Sequence, residues 1–379
     1  MPPLDPAVLP AGIRSRFLDG INGLRVHVLE AGFETAGRPC VLLLHGFPEL
    51  AYSWRKVMLP LAAEGFHVVA PDQRGYGRTT GWDGDYDGDL ASFRLLNLVR
   101  DTLTLVAALG YRSVAVVGHD FGAAVAAGCA LIRPDVFRSM TLMSAPFAGA
   151  PAWPGTEQKT SGEDIHAALA RLPRPRKHYQ WYYSTRPANA DMWRCPQGVH
   201  AFLRAYFHYK SADWSGNKPF RLASWSAAEL AKMPTYYIMD LNKDMAATVA
   251  PEMPSAAEIA ACRWLPDSEL SVYSGEYQRT GFQGGLQWYR CRTQGVNSDL
   301  GVFAGRTIDV PAMFVAGKSD WGIYQVPGAI ERMQESACSR MLGCHLLDGA
   351  GHWVQQEQPE RVSELLIEFL RETKPASAA

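Results

Sequence analysis

Three residues of this 379-residue chain, Asp120, Asp320 and His352, have the types and the order that nucleophilic catalysis needs. Asp120 stands in Gly118-His-Asp-Phe-Gly122, after the apolar run holding Val114, Val116 and Val117 and before the small residues Ala123, Ala124, Ala126 and Ala127. That order predicts a strand, one tight corner and a closely packed helix. A G-x-nucleophile-x-G elbow needs glycine on both sides, because the corner is strained and the helix must lie close against the sheet. The general motif carries serine at the corner. A carboxylate there suits displacement at a saturated carbon instead, and the product is an alkyl ester of Asp120. Hydrolysing that ester takes a water activated by a base and an acid that fixes the base's tautomer. Asp320 in Gly317-Lys-Ser-Asp-Trp321 and His352 in Gly349-Ala-Gly-His-Trp353 follow in the required order. Alone, each has a bland explanation, as a strand cap and as a satisfied surface histidine; their joint order carries the reading. Water attacking the Asp120 carboxyl carbon would leave an oxyanion on the enzyme's own side chain. The backbone N–H groups of Phe121 and of Phe47, in His45-Gly-Phe-Pro48, are the donors expected to meet it.

These residues converge only if loops at the carboxyl ends of parallel strands share one rim of a sheet. The continuous apolar run from Cys40 to Leu44 predicts a strand buried on both faces, and further strands are expected at His67, Ser139 to Ser144, Val310 to Gly317 and Met341 to Leu347. Leu24 to Leu29 alternates apolar with polar residues and pairs with the run before Gly20-Ile-Asn-Gly23 as an edge hairpin. Helices are expected over Trp54 to Glu64, from Leu95 to Gly110, near Ala329 and over Pro359 to Glu372. Strand and helix alternate, so the fold class is α/β with a mostly parallel, doubly wound sheet. Residues 147–303 interrupt the alternation; they are rich in Pro, Trp and Tyr, and short helices with loops fit them better than strands. The chain is thus divided into a core, 13–146 and 304–373, and an inserted helical lid, 147–303. Residues 1–12 carry four prolines and read as an extended, poorly ordered lead-in, and 374–379 as a frayed end.

Composition excludes several classes. With 37 basic against 38 acidic residues, nothing steers the chain to nucleic acid or to an anionic membrane surface. Seven cysteines are an odd number with no C-x-x-C pair, which fits a reduced, cytoplasmic setting. The opening lacks a basic and then apolar leader, and no run approaches the length of a membrane span. Asp83, Asp85, Asp87 and Asp89 alternate in a Gly-rich loop, but the distal Glu of an EF-hand is missing, so a solvated loop is expected; neither metal nor cofactor enters the reading.

His45-Gly-Phe-Pro-Glu49, Asp72-Gln-Arg-Gly-Tyr-Gly77, Gly118-His-Asp-Phe-Gly122, Gly317-Lys-Ser-Asp320 and Gly351-His352 together resemble the α/β-hydrolase superfamily and, within it, the soluble epoxide hydrolases with an Asp nucleophile. The resemblance runs over most of the chain and implies the α/β-hydrolase fold, a cis Phe47–Pro48 bond and two lid tyrosines that hold the epoxide oxygen. The first lid tyrosine of that family opens a Y-x-x-x-F-Q pattern, matched by Tyr179-Gln-Trp-Tyr-Tyr183-Ser with two departures; Tyr182 and Tyr183 compete with Tyr179 for the role. The second lies in Gly281-Phe-Gln-Gly-Gly-Leu-Gln-Trp-Tyr289-Arg290. A phenol with a pKa of about 10 can donate to an opening alkoxide while staying neutral at working pH. The implied partner is a small apolar or aromatic epoxide, with no nucleic acid and no membrane, in a monomer or a homodimer. Haloalkane dehalogenation is the rival, since it uses the same triad. Its halide cradle ordinarily takes Trp after the nucleophile and Asn or Trp opposite, whereas Phe121 and Phe47 stand here and neither side chain donates a hydrogen bond.

Overall fold

The computed structural model of the chain describes residues 1–153 and 164–373. Six strands of the main sheet come first in the chain: β1 (Ile13–Ile21), β2 (Leu24–Ala31), β3 (Cys40–Leu44), β4 (His67–Pro71), β5 (Val114–His119) and β6 (Phe137–Met143). Two short strands, β7 (Arg176–His178) and β8 (Ile238–Asp240), pair antiparallel away from it. β9 (Ala312–Gly317) and β10 (Met341–Leu347) complete the sheet of eight, whose order is β1-β2-β4-β3-β5-β6-β9-β10. β1 and β2 form the antiparallel hairpin at one edge, and from β4 onward every neighbour is parallel. Strand order turns back between β3 and β5, so the loops after these two strands open the crevice where an α/β sheet binds its ligands.

Three helices of the first half pack on this sheet: α1 (Arg55–Ala63), α2 (Leu95–Ala108) and α3 (Phe121–Ile132). α3 follows β5 with no linker other than Asp120, and only glycine fits the approach. A Cβ on Gly118 would lie 2.1 Å from the Gly122 carbonyl oxygen, and one on Gly122 would lie 2.1 Å from that of Leu44. Between β6 and β9 the chain forms α4 (Tyr179–Tyr183), α5 (Gly198–Lys210), α6 (Asp267–Thr280) and α7 (Gln283–Thr293); α8 (Pro359–Thr373) closes the chain against α1. The β7–β8 ladder departs from the expectation of helices and loops alone. Three residues per strand are too few for a period-two pattern to show in the sequence.

The lead-in is also unlike the poorly ordered stretch expected. Leu4 is buried, its N–H donates to Ser15 Oγ at 2.8 Å, and the Arg78 guanidinium donates to the carbonyls of Pro2 (2.8 Å) and Pro3 (3.1 Å). The prolines leave carbonyls without competing N–H groups, and an arginine from the loop after β4 takes them. The expected fraying of 374–379 lies outside the described residues. All seven cysteines are free thiols. Among the described residues no helix is long and apolar enough to cross a membrane.

Candidate active site

Asp120 occupies the corner between β5 and α3 with φ +53° and ψ −118°, a conformation that an L-residue adopts at a cost of roughly 1–3 kcal/mol. The loop after β3 packs closely on it: a Cβ on Gly46 would meet Asp120 Cβ at 2.4 Å and Oδ1 at 2.6 Å, so only glycine fits there. Phe47 N–H, in that loop, donates to Asp120 Oδ1 at 3.1 Å, and the Phe47–Pro48 bond is cis. No hydrogen bond joins the Phe121 amide to the carboxylate in this state, so only one of the two expected donors is engaged.

His352, on the loop after β10, directs Nδ1 to Asp320 Oδ1 at 3.1 Å and Nε2 toward Asp120 Oδ2 at 3.4 Å. Nε2 is buried and makes no hydrogen bond, which leaves its lone pair or proton available to a third party. Asp320 is held by the Gly322 N–H at 2.6 Å. Burial by itself would raise the Asp120 carboxyl pKa. The interaction with His352 and the fields of His352, Lys210 and His119 outweigh burial and hold it well below the usual carboxylate range. For Asp320 burial again pushes up, and the His352 imidazole together with hydrogen bonds from Ser144 and Gly322 brings it below its ordinary value. Both carboxylates are therefore anions at neutral pH.

A second tier lies behind the imidazole. Glu49, after Pro48, accepts from His119 Nδ1 at 2.5 Å, and His119 Nε2 reaches the carbonyl of His352 at 2.7 Å. Gln355 and Gln356 donate to the other Glu49 oxygen at 2.9 and 3.1 Å. Burial opposes the charge on both partners, yet their mutual attraction leaves Glu49 lowered and His119 raised. Both residues stand inside the sequence motifs, where their flanking positions gave no sign of this chain of bonds. The His352 loop is also tied to the insertion. Glu357 accepts from Ala212 (2.8 Å), Gly351 (2.9 Å) and Trp353 (2.9 Å) N–H groups, and His352 N–H donates to the Lys210 carbonyl at 3.0 Å.

A cavity of about 530 Å³ is lined by Asp120, Phe93, Leu98, Leu131, Phe147 and Val326 together with Tyr179 and Tyr289. A larger surface cleft of about 920 Å³, beside Arg55, Arg204 and Trp264, holds none of these residues. Tyr289 is buried on α7, packed on the rings of Phe121 (4.6 Å), Tyr183 (4.9 Å) and Phe47 (5.5 Å), and its hydroxyl makes no hydrogen bond within the described protein. Tyr179 donates to Gln325 Oε1 at 3.0 Å and accepts from Gln180 Nε2 at 3.1 Å, with its ring 5.9 Å from that of Tyr289. Burial, reinforced by the Asp120 anion and, at Tyr289, by neighbouring phenols, raises both phenol pKa values, so both stay protonated donors. The two competitors for the first tyrosine face elsewhere. Tyr182 donates to Asp191 on the outer side of the insertion, and Tyr183 donates to Tyr206 in its interior. Phe121 lines the cavity and meets the Tyr289 ring edge-on, and Phe47 meets the rings of Tyr183 and Tyr289; neither side chain carries a polar atom. The acidic loop caps itself: the N–H groups of Asp85, Asp87 and Ala91 donate to the carboxylates of Asp83, Asp85 and Asp89. Among the described residues no group of three or more His, Cys, Asp or Glu side chains could hold a metal ion.

The α/β hydrolase fold family matches residues 39–359. Epoxide hydrolase A of Mycobacterium tuberculosis is 33% identical over 356 residues, covering 92% of this chain and 95% of that protein. Among solved structures, an epoxide hydrolase from an endophytic Streptomyces superposes with a TM-score of 0.76 at 30% identity, over 97% of this chain and 98% of that one. Potato (Solanum tuberosum) epoxide hydrolase I does so with a TM-score of 0.72 at 28% identity, over 95% and 99%.

Proposed function

Because this chain belongs to the α/β-hydrolase family and, within it, to the epoxide hydrolases, we propose that it opens an epoxide to a vicinal diol by covalent attack from Asp120. The observation that carries the mechanism is the facing of an ionised, outward-pointing Asp120 by two buried, protonated phenols across one apolar cavity. Asp120 Oδ2 attacks the less hindered ring carbon while Tyr179 and Tyr289 donate to the departing oxygen. Tyr289 is already free to do so; Tyr179 must release Gln325 first.

Water, deprotonated by His352 Nε2, then attacks the carboxyl carbon of Asp120. Asp320 keeps the imidazole proton on Nδ1, and the Phe47 amide, already on Oδ1, stabilises the oxyanion; the Phe121 amide is the second donor as charge develops. Collapse of the tetrahedral species expels the diol and restores Asp120. Residues 147–303 serve as the lid that roofs the cavity and supplies both phenols, and the apolar lining favours an apolar or aromatic epoxide. The chemistry requires no cofactor.

Turnover in heavy-oxygen water tests the covalent route, because each cycle replaces a carboxyl oxygen of Asp120. The peptide carrying Asp120 should gain isotope, and diol formation from an aryl epoxide should vanish in Asp120→Ala. An active enzyme whose Asp120 peptide keeps its natural mass, or release of halide from short haloalkanes with no diol from epoxides, would overturn the reading.

A further inference from the structure

Lys210 ends α5 and is 3% exposed, a degree of burial that an ammonium group tolerates only when something compensates its lost hydration. It forms no ion pair with any described residue. Its Nζ instead lies 5.4 Å from the ring centroid of Tyr206, 6.0 Å from Tyr236, 5.1 Å from Tyr237 and 5.2 Å from Trp353. Four π-faces from α5, from the segment before β8 and from the residue after His352 thus box one cation.

Rings differ from a carboxylate in one respect that matters here. They hold the cation in place without cancelling its field, so the field reaches the next anions. Those anions are Asp120, Asp320 and Glu49: burial, the larger effect, brings the Lys210 ammonium below its ordinary pKa, and these three carboxylates work against it to keep the proton. The influence is reciprocal, since Lys210 is among the groups that keep Asp120 ionised. His119, bonded to Glu49, and His352, whose N–H rests on the Lys210 carbonyl, are the other titratable groups around this cluster.

We propose that Lys210 is a positioning residue for the second half-reaction, its boxed ammonium acting through Asp120 to hold the negative charge that returns there when water attacks the ester. The proposal rests on the covalent reading of Asp120. In alkylation the negative charge leaves the Asp120 carboxylate for the epoxide oxygen, and a fixed cation whose field acts on Asp120 gives that step no help. In hydrolysis the water oxygen bonds to the carboxyl carbon, its proton goes to His352 Nε2, and negative charge appears again on the Asp120 oxygen. The bond from the carboxyl carbon to the substrate oxygen then breaks, and that oxygen takes the proton back from His352. Only this second half gains from a cation at Lys210.

Lys210→Met keeps the stem that the rings pack on and removes the charge. Rapid quenching with intact-protein mass spectrometry, counting alkylated enzyme through one turnover, separates the two halves. Hydrolysis should slow by about ten-fold or more while alkylation stays within about three-fold, so alkylated enzyme becomes the main species during turnover. Lys210→Arg, whose guanidinium also stacks on aromatic rings, should recover most of the hydrolysis rate. Should the Met variant not fold, Lys210→Gln is read in the same way. Unchanged hydrolysis, an equal slowing of both halves, or failure of the Arg variant to outperform the neutral ones would overturn the proposal. Wild-type enzyme is the control that separates the two ideas: diol without any alkylated Asp120 removes the covalent reading and this proposal together, whereas an adduct whose hydrolysis ignores Lys210 removes this proposal alone.

Discussion

Replacing Tyr289 with Phe tests the assignment of work between the two halves of the reaction. The substitution removes one oxygen and little else. The ring contacts with Phe121, Tyr183 and Phe47 at 4.6, 4.9 and 5.5 Å remain, and the hydroxyl has no partner in the described protein to leave unsatisfied. Stability should accordingly move by less than about 0.5 kcal/mol, a Tm change of no more than a degree or two. The lost donor acts on an oxygen that becomes an alkoxide. A hydrogen bond to a charged group contributes roughly 1.5–3 kcal/mol, so alkylation should slow about 10- to 100-fold, with Tyr179 keeping the remainder alive. Hydrolysis of the ester places its charge on Asp120, away from the phenol, and should change by less than about three-fold. Stopped-flow intrinsic fluorescence under excess enzyme gives the first rate, and decay of the isolated alkyl-enzyme gives the second. An equal effect on both rates would refute the role given to Tyr289. Tyr179→Phe supplies the contrast, because it also strands Gln325 and Gln180 and should lower stability by about 1–2 kcal/mol while slowing the same step.

His352→Gln should leave alkylation measurable and slow hydrolysis by roughly 10²–10⁴-fold, so that one equivalent of epoxide is retained as an ester; catalytic turnover at the wild-type rate would exclude the imidazole as the base. Acid unfolding should follow Asp72 and Glu30, each with a carboxyl brought down to about 2 in the folded chain. Burial raises both, and the bonds of Asp72 with His27 and of Glu30 with His67 and Arg16 overcome it. A folded-state pKa below the unfolded value makes stability complete above about pH 4–4.5 and lost as pH falls toward 2; for Asp72 this amounts to about 2 kcal/mol. Denaturant titrations between pH 5 and 2 should show this slope, and Asp72→Asn should flatten it; an unchanged slope would mean that other carboxylates govern the acid limb.

Much of the architecture was legible because its signals are local. An apolar run of five, a glycine pair around a corner and an i, i+3/i+4 stripe each determine an element within a few residues, and strand–helix alternation then orders the sheet. The loops carrying Asp320 and His352 followed from that order. What was illegible depends on how separate pieces dock. Tyr179, Tyr182 and Tyr183 share barely more than one turn of α4 with their hydroxyls bonded to different partners, and only the seating of that helix decides which ring meets the cavity. Glu49 with His119, and Lys210 with the rings of Tyr236, Tyr237 and Trp353, are contacts between residues up to 143 positions apart (Lys210 and Trp353), and no spacing rule reports them. The anchoring of the N-terminal prolines by Arg78 belongs to the same class, and the ladder of β7 and β8 is short enough to escape any pattern.

Glu357 grips the amides on both sides of the catalytic imidazole and, with the same carboxylate, the amide of Ala212 in the inserted segment. If residues 147–303 are the lid and His352 the base, as proposed, roof and base are one mechanical part. Were the roof to tilt away as a rigid flap to admit each substrate, it would drag the imidazole off its aspartate and dismantle the machinery it shelters. On that reading, substrate is expected to pass with the roof in place, through shifts of side chains that line the cavity, such as Phe147 and Val326. Bulk at those positions is then expected to set which epoxides enter, independently of the chemistry below.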